Sequence, residues 1–156
     1  MYEIILVPLD GSKIGEAALA NVEDLALKVT PCSEVEVTLL QVISDLTYDF
    51  LTENEGFQLP YNEKDLKNIE GMAQRYLETA AGRLRGKGIK VNTMVTEGHA
   101  ADEIIKVAQK INANLIAMST HGRSGLGRWT LGSITDKVIR QSPIPVLTVR
   151  AKDASN

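Results

Sequence analysis

Short runs of aliphatic residues alternate along the chain with longer stretches in which apolar positions recur every three to four residues. Residues 4–9 are almost continuously apolar, as expected of a strand covered on both faces. Ala17, Ala18, Leu19, Val22, Leu25 and Ala26 then fall at helical spacing. Ser12 can cap that segment and Pro31 stops it. Residues 34–43, rich in β-branched side chains, predict a second strand. Residues 44–63 show no period and carry Asp45, Asp49, Glu53, Glu55 and Glu63, so they read as a long acidic loop with room for a helical turn at 46–51. Leu66, Ile69, Ala73, Tyr76, Leu77, Ala80 and Leu84 predict a helix that Gly86-Lys87-Gly88 ends. Residues 91–96 are the third strand. Gly98 punctuates, and Ala101, Ile104, Ile105, Ala108 and Ile111 mark the third helix. Residues 115–119 form the fourth strand, 132–141 a fourth helix closed by Pro143, and 146–149 the fifth strand; 152–156 read as a frayed tail.

Five strands separated by four helices predict an α/β fold. It is an open five-stranded parallel sheet with helices on both faces, built as a single domain over residues 1–151. Ligands of such sheets sit beyond the carboxyl ends of the strands, where strand order reverses. The unusual residues follow strands one and four, so these two strands are expected side by side at the reversal.

Composition narrows the function. The 156 residues carry a net charge of -3, which disfavours a general nucleic-acid binder, and 4% aromatic residues leave little for base-stacking platforms. The single cysteine, Cys32, cannot form an internal disulfide, and no Cys/His cluster suggests zinc. No apolar run reaches membrane-spanning length, and the chain enters its first strand without a basic leader, so a cytoplasmic location is expected.

Two segments carry candidate chemistry. The first is Met118-Ser119-Thr120-His121-Gly122, which leads through a Gly-rich basic loop to Gly132-Ser133. Glycines let backbone approach an anion, and the first amides of a helix point at it with a favourable dipole. Gly132, Ser133, Ile134 and Thr135 would supply those amides, and Ser133 and Thr135 add hydroxyls. Gly127 to Gly132 has P-loop spacing, but Ser133 and Ile134 stand where Lys and Ser/Thr are needed, so this is not a Walker A motif. A dinucleotide G-x-G-x-x-G is also absent. The second segment is Pro8-Leu9-Asp10-Gly11-Ser12. Asp10 can accept hydrogen bonds from ribose or from an adenine amine, or it can cap the following helix, and both readings stay open. His121 suits a phosphate, a ribose or a turn. Arg123 and Arg128 suit phosphates or plain solvent, Trp129 suits the loop or a partner subunit, and His99 reads as exposed. No Ser-His-Asp spacing, paired catalytic carboxylates or metal cluster stands out, so no catalytic residue is assigned.

Together these residues resemble the universal stress protein family over essentially the whole chain. The resemblance rests on Ile4 through Ser12, on Leu39-Leu40-Gln41-Val42-Ile43, on Glu97-Gly98, and on the block from Ile116 to Val149. It implies a Rossmann-like sheet of the adenine nucleotide alpha hydrolase type, and a homodimer paired through residues 146–149. One branch of the family binds ATP through G-x-x-G-(nine residues)-G-[S/T]. Here the second Gly falls on Gly122 and the final pair on Gly132-Ser133, while Ser119 replaces the first Gly. A positive φ at that position would make Ser costly by about 1–2 kcal/mol; at negative φ it fits, and its hydroxyl can add a hydrogen bond. By position the resemblance places adenine near Asp10 and the backbone of Val42. It places ribose near Pro8, Asp10 and the turn after Met118, places phosphates along His121, Gly122, Gly132, Ser133, Ile134 and Thr135, and counts Leu9, Met118 and Ser119 among the nucleotide-binding residues. The expected protein is a cytoplasmic, nucleotide-dependent stress regulator that takes ATP, with or without Mg²⁺. It is expected to hydrolyse ATP slowly at most and to act on an unknown protein partner, without nucleic acid or membrane. The alternatives are a nucleotide-free dimeric interaction module and an adenine-nucleotide-cleaving enzyme.

Overall fold

The computed structural model describes residues 3–28, 34–44, 63–120 and 131–151. In chain order the elements are β1 (Ile4–Pro8), α1 (Ala17–Lys28), β2 (Glu36–Ile43), α2 (Glu63–Arg85), β3 (Lys90–Glu97), α3 (Ala100–Lys110), β4 (Leu115–Ser119), α4 (Ser133–Gln141) and β5 (Val146–Val149). All strand pairs are parallel and the spatial order is β3-β2-β1-β4-β5. β1 therefore lies at the centre, which explains its unbroken apolar run: Ile5, Leu6 and Val7 are fully buried.

Alternation along the strands divides the interior into two layers. Ile5, Val7, Val37, Leu39, Leu115 and Ala117 face α1 and α2, meeting Val22, Ala26, Leu77 and Leu84. Leu6, Leu40, Val42, Ile116 and Met118 face the other way, onto Ile104, Val107 and Ala108 of α3 and Val138 of α4. The connection after β1 thus leaves toward one face and the connection after β4 reaches the other. That divergence is where the topology of an open parallel sheet places a crevice, between the two strands.

Two elements begin differently from their sequence pattern. Ser12 is followed by turns, and regular helix starts only at Ala17. α2 starts at Glu63, so the last acidic residue of the expected loop belongs to a helix, where Glu63 and Asp65 complement the N-terminal dipole. Residues 45–62, with the rest of that loop, lie outside the described residues, as do Pro31, Cys32 and the tail 152–156. After α3, Asn112 adopts φ 54°, and Ala113 N–H donates to the Ala108 carbonyl at 2.8 Å. This turn delivers Asn114 to the start of β1. There the Asn114 side-chain oxygen accepts from Ile4 N–H at 3.1 Å, and Asn114 N–H donates to the Ile4 carbonyl at 2.9 Å.

Candidate functional site

β1 and β4 are neighbours, yet they register at only two positions, Ile5↔Leu115 and Leu6↔Ile116. β1 continues to Pro8 and β4 to Ser119, and carrying the register forward sets Leu9 beside Ser119 and Asp10 beside Thr120. On its other side β1 stays tied to β2: Leu9 N–H donates to the Leu40 carbonyl at 2.8 Å. The crevice at the strand ends is therefore bordered by the turn after β1 and by the start of α4, which is where an open parallel sheet takes its ligand.

On the β1 side the chain turns sharply at Gly11, whose φ of 83° requires glycine. Asp10 Oδ1 accepts from Ser12 N–H at 3.0 Å and from Ser12 Oγ at 2.7 Å, and Ser12 Oγ in turn accepts from Gly15 N–H at 2.9 Å. Gly15 packs so closely that a side chain there would collide with Asp10 Oδ1. Asp10 thus organises the entry to α1 and stands at the crevice at the same time. Gly15 was not singled out in the sequence. Its position three residues after Ser12, the spacing of a cap to the amide it binds, was the available signal.

On the β4 side Thr120 N–H donates to the Val149 carbonyl at 2.9 Å, and Gly132 N–H donates to the Thr120 carbonyl at 2.8 Å. Gly132 is the N-cap of α4 and offers no capping side chain, so the amides of Ser133, Ile134 and Thr135 begin the helix without intrahelical partners. Thr135 is buried, and its hydroxyl donates to the Ser119 carbonyl at 3.0 Å. That bond fixes the helix start over the end of β4. Ser119 is absent from the positive-φ residues, so serine replaces glycine at this position without backbone strain.

The structure brings Pro8, Leu9, Asp10, Met118, Ser119, Gly132, Ser133, Ile134 and Thr135 to this end of the sheet. Val42 lies nearby on β2, buried and opposite Thr96 of β3. His121, Gly122, Arg123, Arg128 and Trp129 lie outside the described residues. His99 is exposed at the N-cap of α3 and makes no capping bond through its side chain.

The perturbed ionisable groups among the described residues lie elsewhere. Hydrogen bonding to Lys137 lowers the pKa of Asp102, Lys90 does the same for Glu36, and Arg85 for Glu78, while Asp136 raises that of Arg140. All are partly or largely exposed pairs; Asp102–Lys137 and Glu36–Lys90 link neighbouring elements, whereas Glu78–Arg85 and Asp136–Arg140 lie within α2 and α4. Among the described residues no group of three metal-ligating side chains converges, and no helix is long and apolar enough to cross a membrane. What this arrangement offers a ligand is a set of backbone donors, hydroxyls and one carboxylate.

The family model described as the universal stress protein family matches residues 1–150. A universal stress protein of Methanocaldococcus jannaschii is 32% identical over 163 aligned residues, covering 99% of this chain and 98% of the relative. Its solved structure superposes with a TM-score of 0.79 at 33% identity, covering 99% of each chain. A putative universal stress protein of Staphylococcus aureus is 30% identical, covering 97% of this chain and 86% of the relative. Two more distant structures share the fold. One is an Arabidopsis thaliana family protein with AMP bound, at 14% identity and a TM-score of 0.66, covering 97% of this chain and 93% of that one. The other is a universal stress protein in complex with cAMP, at 18% identity and a TM-score of 0.63, covering 96% of this chain and 97% of that one.

Proposed function

The chain belongs to the universal stress protein family, and from that premise we propose that it binds ATP in the crevice between β1 and β4 and acts as a nucleotide-dependent regulator of the stress response. The observation that carries this reading is the convergence of two half-sites. The Asp10 turn and the N-terminus of α4 are more than 120 residues apart in sequence, and the β3-β2-β1-β4-β5 order sets them on adjacent strands. Relatives of the same fold hold AMP and cAMP, which supports an adenine nucleotide as the ligand class.

The groups suit the parts of that ligand. Asp10 and the Val42 backbone are assigned to adenine, and Pro8, Asp10 and the turn after Met118 to ribose, with Leu9 and Ser119 at the same end of the sheet. The amides of Ser133, Ile134 and Thr135 and the Ser133 hydroxyl, with His121, Gly122 and the turn at Gly132, are assigned to phosphates; the Gly132 amide and the Thr135 hydroxyl, which the sequence also offered to an anion, are instead taken up by the Thr120 and Ser119 carbonyls. The missing Walker lysine and the lack of an identified general base favour binding with slow hydrolysis at most. The same reading makes the protein cytoplasmic and a homodimer paired along β5. That strand is at the edge of the sheet, and α4, which packs on it, exposes Ile134 and Ile139.

The test is mass spectrometry of small molecules released from freshly purified protein, followed by a thermal melt with added ATP. Adenine nucleotide near one per chain is expected. ATP at a hundred times its dissociation constant should add about 2.7 kcal/mol of stability, raising Tm by roughly 5–10 °C. Recovery of no nucleotide together with an unmoved Tm would refute the reading.

A further inference from the structure

Ser119 presents an unexplained hydroxyl. The residue is 6% exposed, and Oγ has no hydrogen-bond partner among the described residues. Its own carbonyl is already held by Thr135 Oγ1. Buried polar atoms in native proteins are nearly always paired, so an orphan calls for a reason. Gln41 Oε1 and Thr96 Oγ1 are orphaned too, but they belong to β2 and β3. Ser119 lies on a strand that borders the crevice, at its mouth.

The position of Ser119 says which part of a ligand it would meet. It sits directly beneath the start of α4, whose first amides have no intrahelical partners and suit an anion, and beside Leu9, one residue from the Asp10 carboxylate. Its side chain alternates with Leu115 and Ala117, so it points to the α1 side of the sheet, the side on which the Asp10–Ser12–Gly15 turn is built. In a nucleotide, the group between the phosphates and the base is the sugar.

We propose that the Ser119 hydroxyl determines sugar specificity, by hydrogen-bonding a ribose hydroxyl of the bound nucleotide and so making the site select ribonucleotides over deoxyribonucleotides. This rests on the nucleotide-binding reading above and adds to it a residue that a glycine in the same place could not imitate. A site built to hydrogen-bond a hydroxyl rejects the analogue that lacks it, because its own polar group is then left buried and unpaired. Among the described residues of the unliganded protein that group is already unpaired. Removing it therefore relieves the free protein while weakening the complex, a pairing of effects that a merely structural serine would not produce.

Calorimetric titrations of wild type, Ser119→Ala and Ser119→Gly with ATP, 2′-deoxy-ATP and 3′-deoxy-ATP test this, alongside melts of each unliganded protein. Wild type should prefer ATP over at least one deoxy analogue by about tenfold, the scale of one hydrogen bond to a buried ligand. Both variants should lose that preference, and Ser119→Ala should melt at or above the wild-type temperature. A preference unchanged in both variants, or a clear fall in the Ser119→Ala melting temperature, would overturn the proposal. Wild type that binds ATP and its deoxy analogues equally would overturn it while leaving the nucleotide-binding reading intact. Wild type that binds no ATP would overturn both.

Discussion

Gly15→Ala is expected to change the sign of its effect according to what stands at position 10. Gly15 is not in the left-handed region, so alanine fits its backbone. On conformational entropy alone the change should stabilise by about 0.4–1 kcal/mol. Space decides otherwise. The new methyl group would collide with Asp10 Oδ1 and stand 3.2 Å from Asp10 Cγ and 3.2 Å from Ser12 Oγ. The backbone need not move, because the Asp10 carboxylate can swing away. In doing so it would give up its bonds to Ser12 N–H at 3.0 Å and Ser12 Oγ at 2.7 Å. Hydrogen bonds to a charged group contribute about 1.5–3 kcal/mol each, and the lower end applies at this half-exposed site. Two such bonds, less the entropy gain, leave Gly15→Ala destabilising by about 2 kcal/mol. For a chain of this size that corresponds to roughly 4–8 °C in Tm. In an Asp10→Ala background the colliding oxygen is gone, and the same change should be neutral or mildly stabilising. Urea melts of the four proteins complete a double-mutant cycle, and a coupling energy of about 2 kcal/mol is expected. Additive effects would show that Gly15 and Asp10 act independently and would refute the account of the turn. ATP titrations of the same proteins should show Gly15→Ala weakening binding when Asp10 is present and having little effect when it is absent.

Other expectations follow from the pinned connections and the surface pairs. Asn112 holds φ 54°, so Asn112→Ala should destabilise by about 1 kcal/mol in a urea melt while Asn112→Gly should not; equal losses would place the cause in the side chain. Lys90 bonds Glu36 at 2.6 Å and lowers its carboxyl pKa, so Glu36 stabilises the fold above the ordinary carboxylate range and loses that contribution as pH falls through its lowered value. Glu36→Gln should therefore be less stable than wild type at neutral pH and indistinguishable from it in strong acid, and a gap that widened on acidification would contradict the assignment.

Much of the fold could be read in advance because each layer leaves its own period. β1 and β4 are covered on both sides and read as unbroken apolar runs, while α2 buries one stripe and reads as Ile69, Ala73, Leu77, Ala80 and Leu84. The adjacency of β1 and β4 was legible only indirectly, from where the glycines and hydroxyls cluster. Pairing partners over a hundred residues apart leave no local trace. Asn114 was invisible for the same reason, since nothing near it in sequence announces that it will hold Ile4. The cap at Ser12 was legible and does form, to Gly15, but within a turn that precedes the regular helix, a turn that the apolar period from Ala17 alone does not announce. At Ser119 the sequence showed a departure from the family motif, and only the backbone conformation shows that it is unstrained.

The brief ladder between β1 and β4 has a mechanical meaning. β1 registers with β2 at five positions and β2 with β3 at eight, but β1 and β4 register at two. Within the sheet, the β1–β2–β3 part and the β4–β5 part thus meet along their narrowest hydrogen-bonded seam, with Asn114 riveting one end of it and α1 packed across it. The crevice lies at the opposite end of that seam. In the proposed binding mode, a ligand gripped by the Asp10 turn on one side and by α4 on the other would tie the unriveted end, so the force needed to part β1 from β4 becomes a readout of occupancy.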